Sequence, residues 1–198
     1  MIRDFALADI ITLGNGVSGF VSVLLCLVYL VEGRPWTVDA AMLVLPIAAA
    51  FDFLDGRVAR WRQRQSALGA QLDSLADLIS FGVAPAVLGY TLGLRGGWDA
   101  IVLTYFVSCG LSRLARYNVT AAALADDAGK VRYFEGTPIP TSVGLVIVWM
   151  VLYHSERTGL NVPFGQFQLG PFVAHPFALI YALSGSAMIS KTLRIPKP

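Results

Sequence analysis

Four aspartates interrupt an otherwise apolar part of the chain: Asp52 and Asp55, then Asp73 and Asp77. The first pair is spaced i,i+3 and the second i,i+4, so on helices each pair shares a face. The link from Asp55 to Asp73 is short, which makes the two helices antiparallel neighbours whose four carboxylates converge on one polar pocket. Converging carboxylates repel one another unless protons or cations lie between them. An all-oxygen ligand set favours a hard divalent cation such as Mg2+ or Mn2+ over zinc, and no Cys or His is near in sequence. A metal held by carboxylates, with room for substrate oxygens, is the usual arrangement for phosphate chemistry. Gly56 and Ala59 follow Asp55, and Gly69 sits one turn before Asp73. Such small residues let a nucleotide approach the backbone, and Arg60 can neutralise a phosphate. Two other readings stay open at this point. The acids can line a proton or cation path in a transporter, or pair structurally with Arg57 and Arg60.

The elements that carry these acids belong in a membrane. Of 198 residues, 56% are hydrophobic and 14% charged, against roughly 25% charged in a soluble domain, and mean hydropathy is +0.63. A bilayer core takes about 20 apolar residues per helix. The pattern predicts an all-α integral membrane fold of six spans, roughly residues 10–31, 38–60, 70–94, 98–119, 139–155 and 172–191. Turn chemistry separates them: Glu32-Gly33-Arg34-Pro35, Gly96-Gly97, Pro138 with Pro140, and Pro171. The first stretch is too long for a signal-peptide core and reads as a span. The residues before Ile10 mix Ile2, Phe5 and Leu7 with Arg3 and Asp4, as a short interfacial helix does. With six spans, Arg3, Arg57, Arg60, Arg62, Arg64, Arg113, Arg116, Lys130, Arg132, Lys191, Arg194 and Lys197 fall on one side. Only Arg34, Arg95 and Arg157 fall on the other. The positive-inside rule then puts both termini, and the aspartate site, at the cytoplasmic face. A net charge of +2 gives no case for nucleic acid. An aspartate at a bilayer centre costs roughly 3 kcal/mol, so four in two neighbouring helices need a functional partner.

The spacing Asp52-x2-Asp55-Gly56-x2-Ala59-Arg60-x8-Gly69-x3-Asp73-x3-Asp77 resembles the signature of the CDP-alcohol phosphotransferase family at every fixed position. The resemblance implies one membrane domain over residues 1–198 with six transmembrane helices, usually a homodimer. It implies a CDP-linked lipid substrate and two divalent ions, Mg2+ or Mn2+, on Asp52, Asp55, Asp73 and Asp77. Asp77, the aspartate best kept free of tight metal binding, becomes the general base. Asn15, Asp52, Gly56, Ala59, Arg60, Gly69 and Asp73 become the CDP-lipid site.

The acceptor alcohol is carried by the second half. Cys109 to Thr120, Tyr133 to Ser142, Leu72 to Pro85 and Ser190 to Pro196 together are similar to the branch of the family that uses L-serine with CDP-diacylglycerol, its fungal members above all. Ser112 and Tyr117 depart from that pattern, where Ala and Phe are expected, and the fungal N-terminal extension has no counterpart. Arg113 and Arg116, i,i+3 on one face, suit a serine carboxylate, and Asn118 and Glu135 suit its ammonium. Inositol phosphate, glycerol phosphate or choline as acceptors fit the same charges. The expected membrane is the endoplasmic reticulum for a fungal chain and the plasma membrane for a prokaryotic one. Thr12, Asn15 and Ser18 face either the nucleotide or another helix. Pro138 and Pro140 shape the acceptor pocket or set a helix entry. Cys26 and Cys109 read as packing residues, His154 and His175 as remote from the chemistry, Trp36 and Trp98 as interface anchors.

Overall fold

The computed structural model describes residues 7–62, 67–120 and 133–196. Helix α1 runs Leu7–Glu32 and α2 Pro35–Arg62. A third rod is broken internally: α3, Ala67–Asp77, passes through a π-helical segment, Leu78–Val83, into α4, Ala84–Leu92. Then come α5, Gly97–Thr120, and α6, Val143–His154, entered through a 3-10 turn at Ile139–Ser142. The last helix, α7, is Leu179–Ile189 after a 3-10 turn at Pro176–Ala178.

Three stretches among the described residues are long and apolar enough to cross a bilayer: Asp9–Glu32, Pro35–Arg57 and Leu68–Leu92. Ile139–His154 and Pro176–Ile189 are apolar but shorter. The chain is an integral membrane protein, mainly helical. Most of the expected interfacial helix lies outside the described residues; from Leu7 the chain is already in α1.

Two expectations need correction. The fold is not purely α: β1, Tyr133–Glu135, pairs antiparallel with β4, Arg194–Pro196, and β2, Phe167–Leu169, pairs with β3, Phe172–Ala174. In addition, the last helix begins later than residue 172. Gly170, at φ +63°, turns the chain from β2 into β3, and Pro176 starts the helical turn. Hydropathy saw one apolar run, but an apolar run does not distinguish strand from helix.

Helix contacts use small residues and buried hydrogen bonds, as expected where lipid supplies no hydrophobic drive. The Ser22 hydroxyl donates to the Ala41 carbonyl at 2.9 Å, joining α1 to α2. Trp149 Nε1 donates to the Tyr181 hydroxyl at 2.8 Å, which donates to the Pro85 carbonyl at 2.7 Å, so α4, α6 and α7 share one buried network. A Cβ at Gly89 would meet that hydroxyl at 2.6 Å. Trp149 is therefore a packing residue. The π segment has a local cause. Pro85 has no N–H to return to Phe81, and the Ala84 N–H reaches back to Ile79. The break follows directly on Asp77, and π-bulges are frequent at functional sites.

Candidate active site

Helices α2 and α3 bring together three of the four acids. Carboxylate oxygens of Asp52, Asp55 and Asp73 lie within 4.8 Å of one another. Asp55 is 5% exposed and Asp77 7%. Arg57, a candidate ion-pair partner, lies instead over the Phe53 ring at 4.5 Å. The Asp73 Oδ1 is buried and makes no hydrogen bond among the described residues. An all-oxygen trio with an orphaned lone pair is a fitting cradle for a hard divalent cation.

Helix α1 supplies what the spacing of the acids did not reveal. Thr12 Oγ1 donates to Asp55 Oδ2 at 2.7 Å, and Asn15 Nδ2 donates to Asp77 Oδ1 at 3.0 Å. Thr12 and Asn15 sit i,i+3 and both are buried. The Asn15 carbonyl accepts from Ser80 Oγ at 2.8 Å, inside the π segment. Close approach of α1 depends on glycine. A Cβ at Gly19 would stand 2.6 Å from Ser80 Cα, and one at Gly16 would stand 3.3 Å from the Ala76 Cβ. Asn15 was expected beside the nucleotide; its amide nitrogen is on Asp77. Ser18 Oγ donates to the Gly14 carbonyl of its own helix at 2.8 Å. The i,i+3 pair Gly16 and Gly19 was the available signal for this contact, whereas Ser80 gave none.

The small residues of the CDP-lipid set fall as follows. Gly56 lies on α2, with open space where a Cβ would point, and its amide hydrogen-bonds the Asp55 carboxylate. Gly69 lies on α3 one turn before Asp73. The side chains of Ala59 and Arg60 lie outside the described residues.

Of the acceptor set, Arg113 is 7% exposed on α5, its Nε has no hydrogen-bond partner among the described residues, and its guanidinium stands 6.0 Å from the centre of the Tyr117 ring. It is near enough to Asp77 for their charges to interact. Arg116 NH1 donates to the Ile189 carbonyl at 3.1 Å, capping the end of α7, a role that the dipole of a helix C-terminus favours. Asn118 Nδ2 donates to Ser74 Oγ at 2.9 Å, tying α5 to α3 one residue from Asp73. Glu135 has its backbone in β1; its side chain lies outside the described residues, as does the loop around Asp126, Asp127 and Lys130. The segment after β1 is fixed to the same helix end that Arg116 caps. The Gly136 N–H donates to the Leu193 carbonyl at 2.8 Å and the Thr137 N–H to the Ala187 carbonyl at 3.1 Å. Gly136, at φ +75°, passes so close that a Cβ would stand 2.2 Å from the Met188 carbonyl oxygen. His154 and His175 pair with Asp39 and Asp99 at the other end of the bundle.

Carboxylates gathered by apolar membrane helices, beside open space at Gly56, fit an intramembrane site for phosphate chemistry. The chain belongs to the CDP-alcohol phosphatidyltransferase family, which matches residues 5–183. It is 47% identical to the CDP-diacylglycerol–serine O-phosphatidyltransferase of Saccharomyces cerevisiae over 204 residues, covering 100% of this chain and 73% of the yeast protein. It is 36% identical to the archaetidylserine synthase of Methanothermobacter thermautotrophicus over 155 residues, 76% of this chain and 60% of that one. The corresponding serine O-phosphatidyltransferase of Bacillus subtilis is 31% identical over 147 residues, 73% of this chain and 75% of its own length.

Proposed function

We propose that this chain moves the phosphatidyl group of CDP-diacylglycerol onto the hydroxyl of L-serine and releases CMP. The observation that carries the reading is the trio Asp52, Asp55 and Asp73 beside an Asp77 held separately by Asn15. The 47% identity to the yeast serine enzyme supports the acceptor.

Asp52, Asp55 and Asp73 would hold the divalent ions, two Mg2+ or Mn2+, which when bound neutralise charge on the pyrophosphate and on departing CMP. Open space at Gly56, with Ala59, Arg60 and Gly69, receives the cytidine nucleotide. The serine oxygen attacks the phosphorus next to the diacylglycerol. A new P–O bond forms, the P–O bond to CMP breaks, and the hydroxyl proton passes to the Asp77 carboxylate. Asn15 and Ser80 keep that carboxylate oriented. Arg113, buried and with an uncommitted Nε, binds the serine carboxylate. Asn118 and Glu135 receive the ammonium, and Arg116 shares its charge while holding the end of α7.

The whole chain, residues 1–198, acts as one catalytic membrane domain with six passes, both termini and the site at the cytoplasmic face, and pairs as a homodimer among membrane lipids. The membrane is the endoplasmic reticulum for a fungal source and the plasma membrane for a prokaryotic one. The test is an acceptor panel in membranes supplied with CDP-diacylglycerol. Radiolabelled serine is expected to enter lipid, and chelation to stop it until Mg2+ or Mn2+ is restored. Labelling by inositol phosphate, glycerol phosphate or choline in place of serine would overturn the acceptor. Cation or proton flux without CMP release would overturn the enzyme.

A further inference from the structure

The stretch between α6 and α7 is built unlike a water-facing loop. From Thr158 to Ser190 there is no Asp, Glu, Lys or Arg. Yet Leu160 is 92% exposed and Phe164 83%, with Phe167, Leu169 and Phe172 also exposed. Side chains of this kind, left in water next to one another, mark an interaction surface.

The backbone at Phe164 adds a second observation. The Gly165 N–H donates to the Val162 carbonyl at 3.1 Å, closing a four-residue turn with Pro163 second and Phe164 third. Phe164 has φ +68°. Proline at the second position suits a type II turn, and the third then calls for glycine or asparagine. A phenylalanine held in this strained conformation, with most of its ring outside the fold, is not retained for packing within the chain. Something outside the chain must take the ring.

Length identifies the occupant. Pro176–Ile189 rises only about 21 Å at 1.5 Å per residue, against a hydrocarbon core of about 30 Å. The hairpin β2–β3 precedes it directly, at the end of the bundle opposite the aspartates. The same end carries exposed Trp36 and Trp98, and the exposed Leu179 and Leu183 continue the apolar face down α7. Trp98 Nε1 donates to the Leu169 carbonyl at 2.8 Å and its ring meets Phe172 edge-on at 6.3 Å. Tryptophan tied to this hairpin places it at headgroup depth. The β2–β3 ladder and the turn bonds of the Asn161 and Gly165 N–H groups pair part of the backbone there, which lowers the cost of placing it at the edge of a bilayer. The hairpin is also firmly mounted. Asp99, at the start of α5, accepts from the His175 N–H at 2.9 Å and from the Gly96 N–H at 2.7 Å, and its other contact is His175 Nδ1.

We infer that the segment Gly159–Ala174 is a rigid interfacial hairpin that inserts Leu160, Phe164 and Phe167 into the lipid leaflet on the side of the membrane opposite the aspartates. It completes the short last helix as a membrane-facing unit and fixes the depth of the bundle.

Full-length protein in phospholipid nanodiscs tests this. Leu160→Cys and, separately, Phe164→Cys are labelled with an environment-sensitive NBD fluorophore, and Arg157→Cys serves as the water-facing control. Cys26 and Cys109 are buried and escape labelling. At positions 160 and 164, shallow nitroxide lipids are expected to quench at least about threefold more than aqueous iodide, as for side chains at the headgroup–acyl boundary. At position 157 the order reverses. The Leu160 site lies outside the strained turn, so it reports even if Phe164→Cys disturbs the backbone. Quenching by iodide at both sites would overturn the inference. So would protection from both quenchers with disulfide-linked dimers of the unlabelled Phe164→Cys protein, which would make this face an interface between two copies.

Discussion

Replacing Asn15 with leucine separates two roles that the residue can play. Asn15 is fully buried, and its Nδ2 lies 3.0 Å from Asp77 Oδ1. Leucine keeps a similar volume but removes the donor and leaves Asp77 free to turn away from the acceptor hydroxyl. A hydrogen bond to a charged partner contributes about 1.5–3 kcal/mol. At about 1.4 kcal/mol per tenfold in rate, its loss at a catalytic base lowers kcat by roughly 10- to 100-fold. The fold should survive, because interhelical hydrogen bonds in membranes average only about 0.6 kcal/mol. The Ser80 bond goes to the Asn15 backbone carbonyl and is untouched by the substitution. Initial rates of serine incorporation, measured against CDP-diacylglycerol and serine in turn, give the answer. The expected result is a reduced kcat with an unchanged KM for CDP-diacylglycerol. A normal kcat with a raised KM for the lipid would refute the reasoning and make Asn15 a nucleotide ligand.

Asp77→Asn should lower turnover by roughly 100-fold or more, as general-base losses do, while CDP-diacylglycerol binding by filtration or thermal shift persists. Lost binding with normal turnover at saturation would count against Asp77 as base. Gly136→Ala places a Cβ against the Met188 carbonyl in a left-handed conformation. It should cost about 1–3 kcal/mol of stability, read as a lower melting temperature, and raise the KM for serine more than that for CDP-diacylglycerol. An unchanged melting temperature would mean that the contact between residue 136 and the end of α7 is loose.

Much of the site was legible because burial makes charge expensive. Four acids in apolar helices are conspicuous, and fixed spacing groups them by face. The first five expected spans also lie close to α1, α2, the α3–α4 rod, α5 and α6, since lipid tolerates few alternatives to a helix. The last helix did not, because the apolar segment around Phe167–Ala174 reads the same as strand or helix until the turn at Gly170 and the start at Pro176 are resolved. Thr12 and Asn15 were seen as polar residues in an apolar span, but their partners depend on how α1 rotates against α3. Arg113 and Arg116 looked equivalent on one helix face, yet one keeps an uncommitted Nε and the other caps α7. That distinction needs the position of α7, which no local pattern encodes.

The most direct test of the central claim is a stoichiometry measurement on the purified protein, with CDP-diacylglycerol, L-serine and Mg2+ or Mn2+ supplied. CMP and phosphatidylserine should appear in equal amounts, CMP release should stop when serine is withheld, and neither product should form with Asp73→Asn. CMP release that ignores serine, or faster consumption of a different alcohol, would contradict the account.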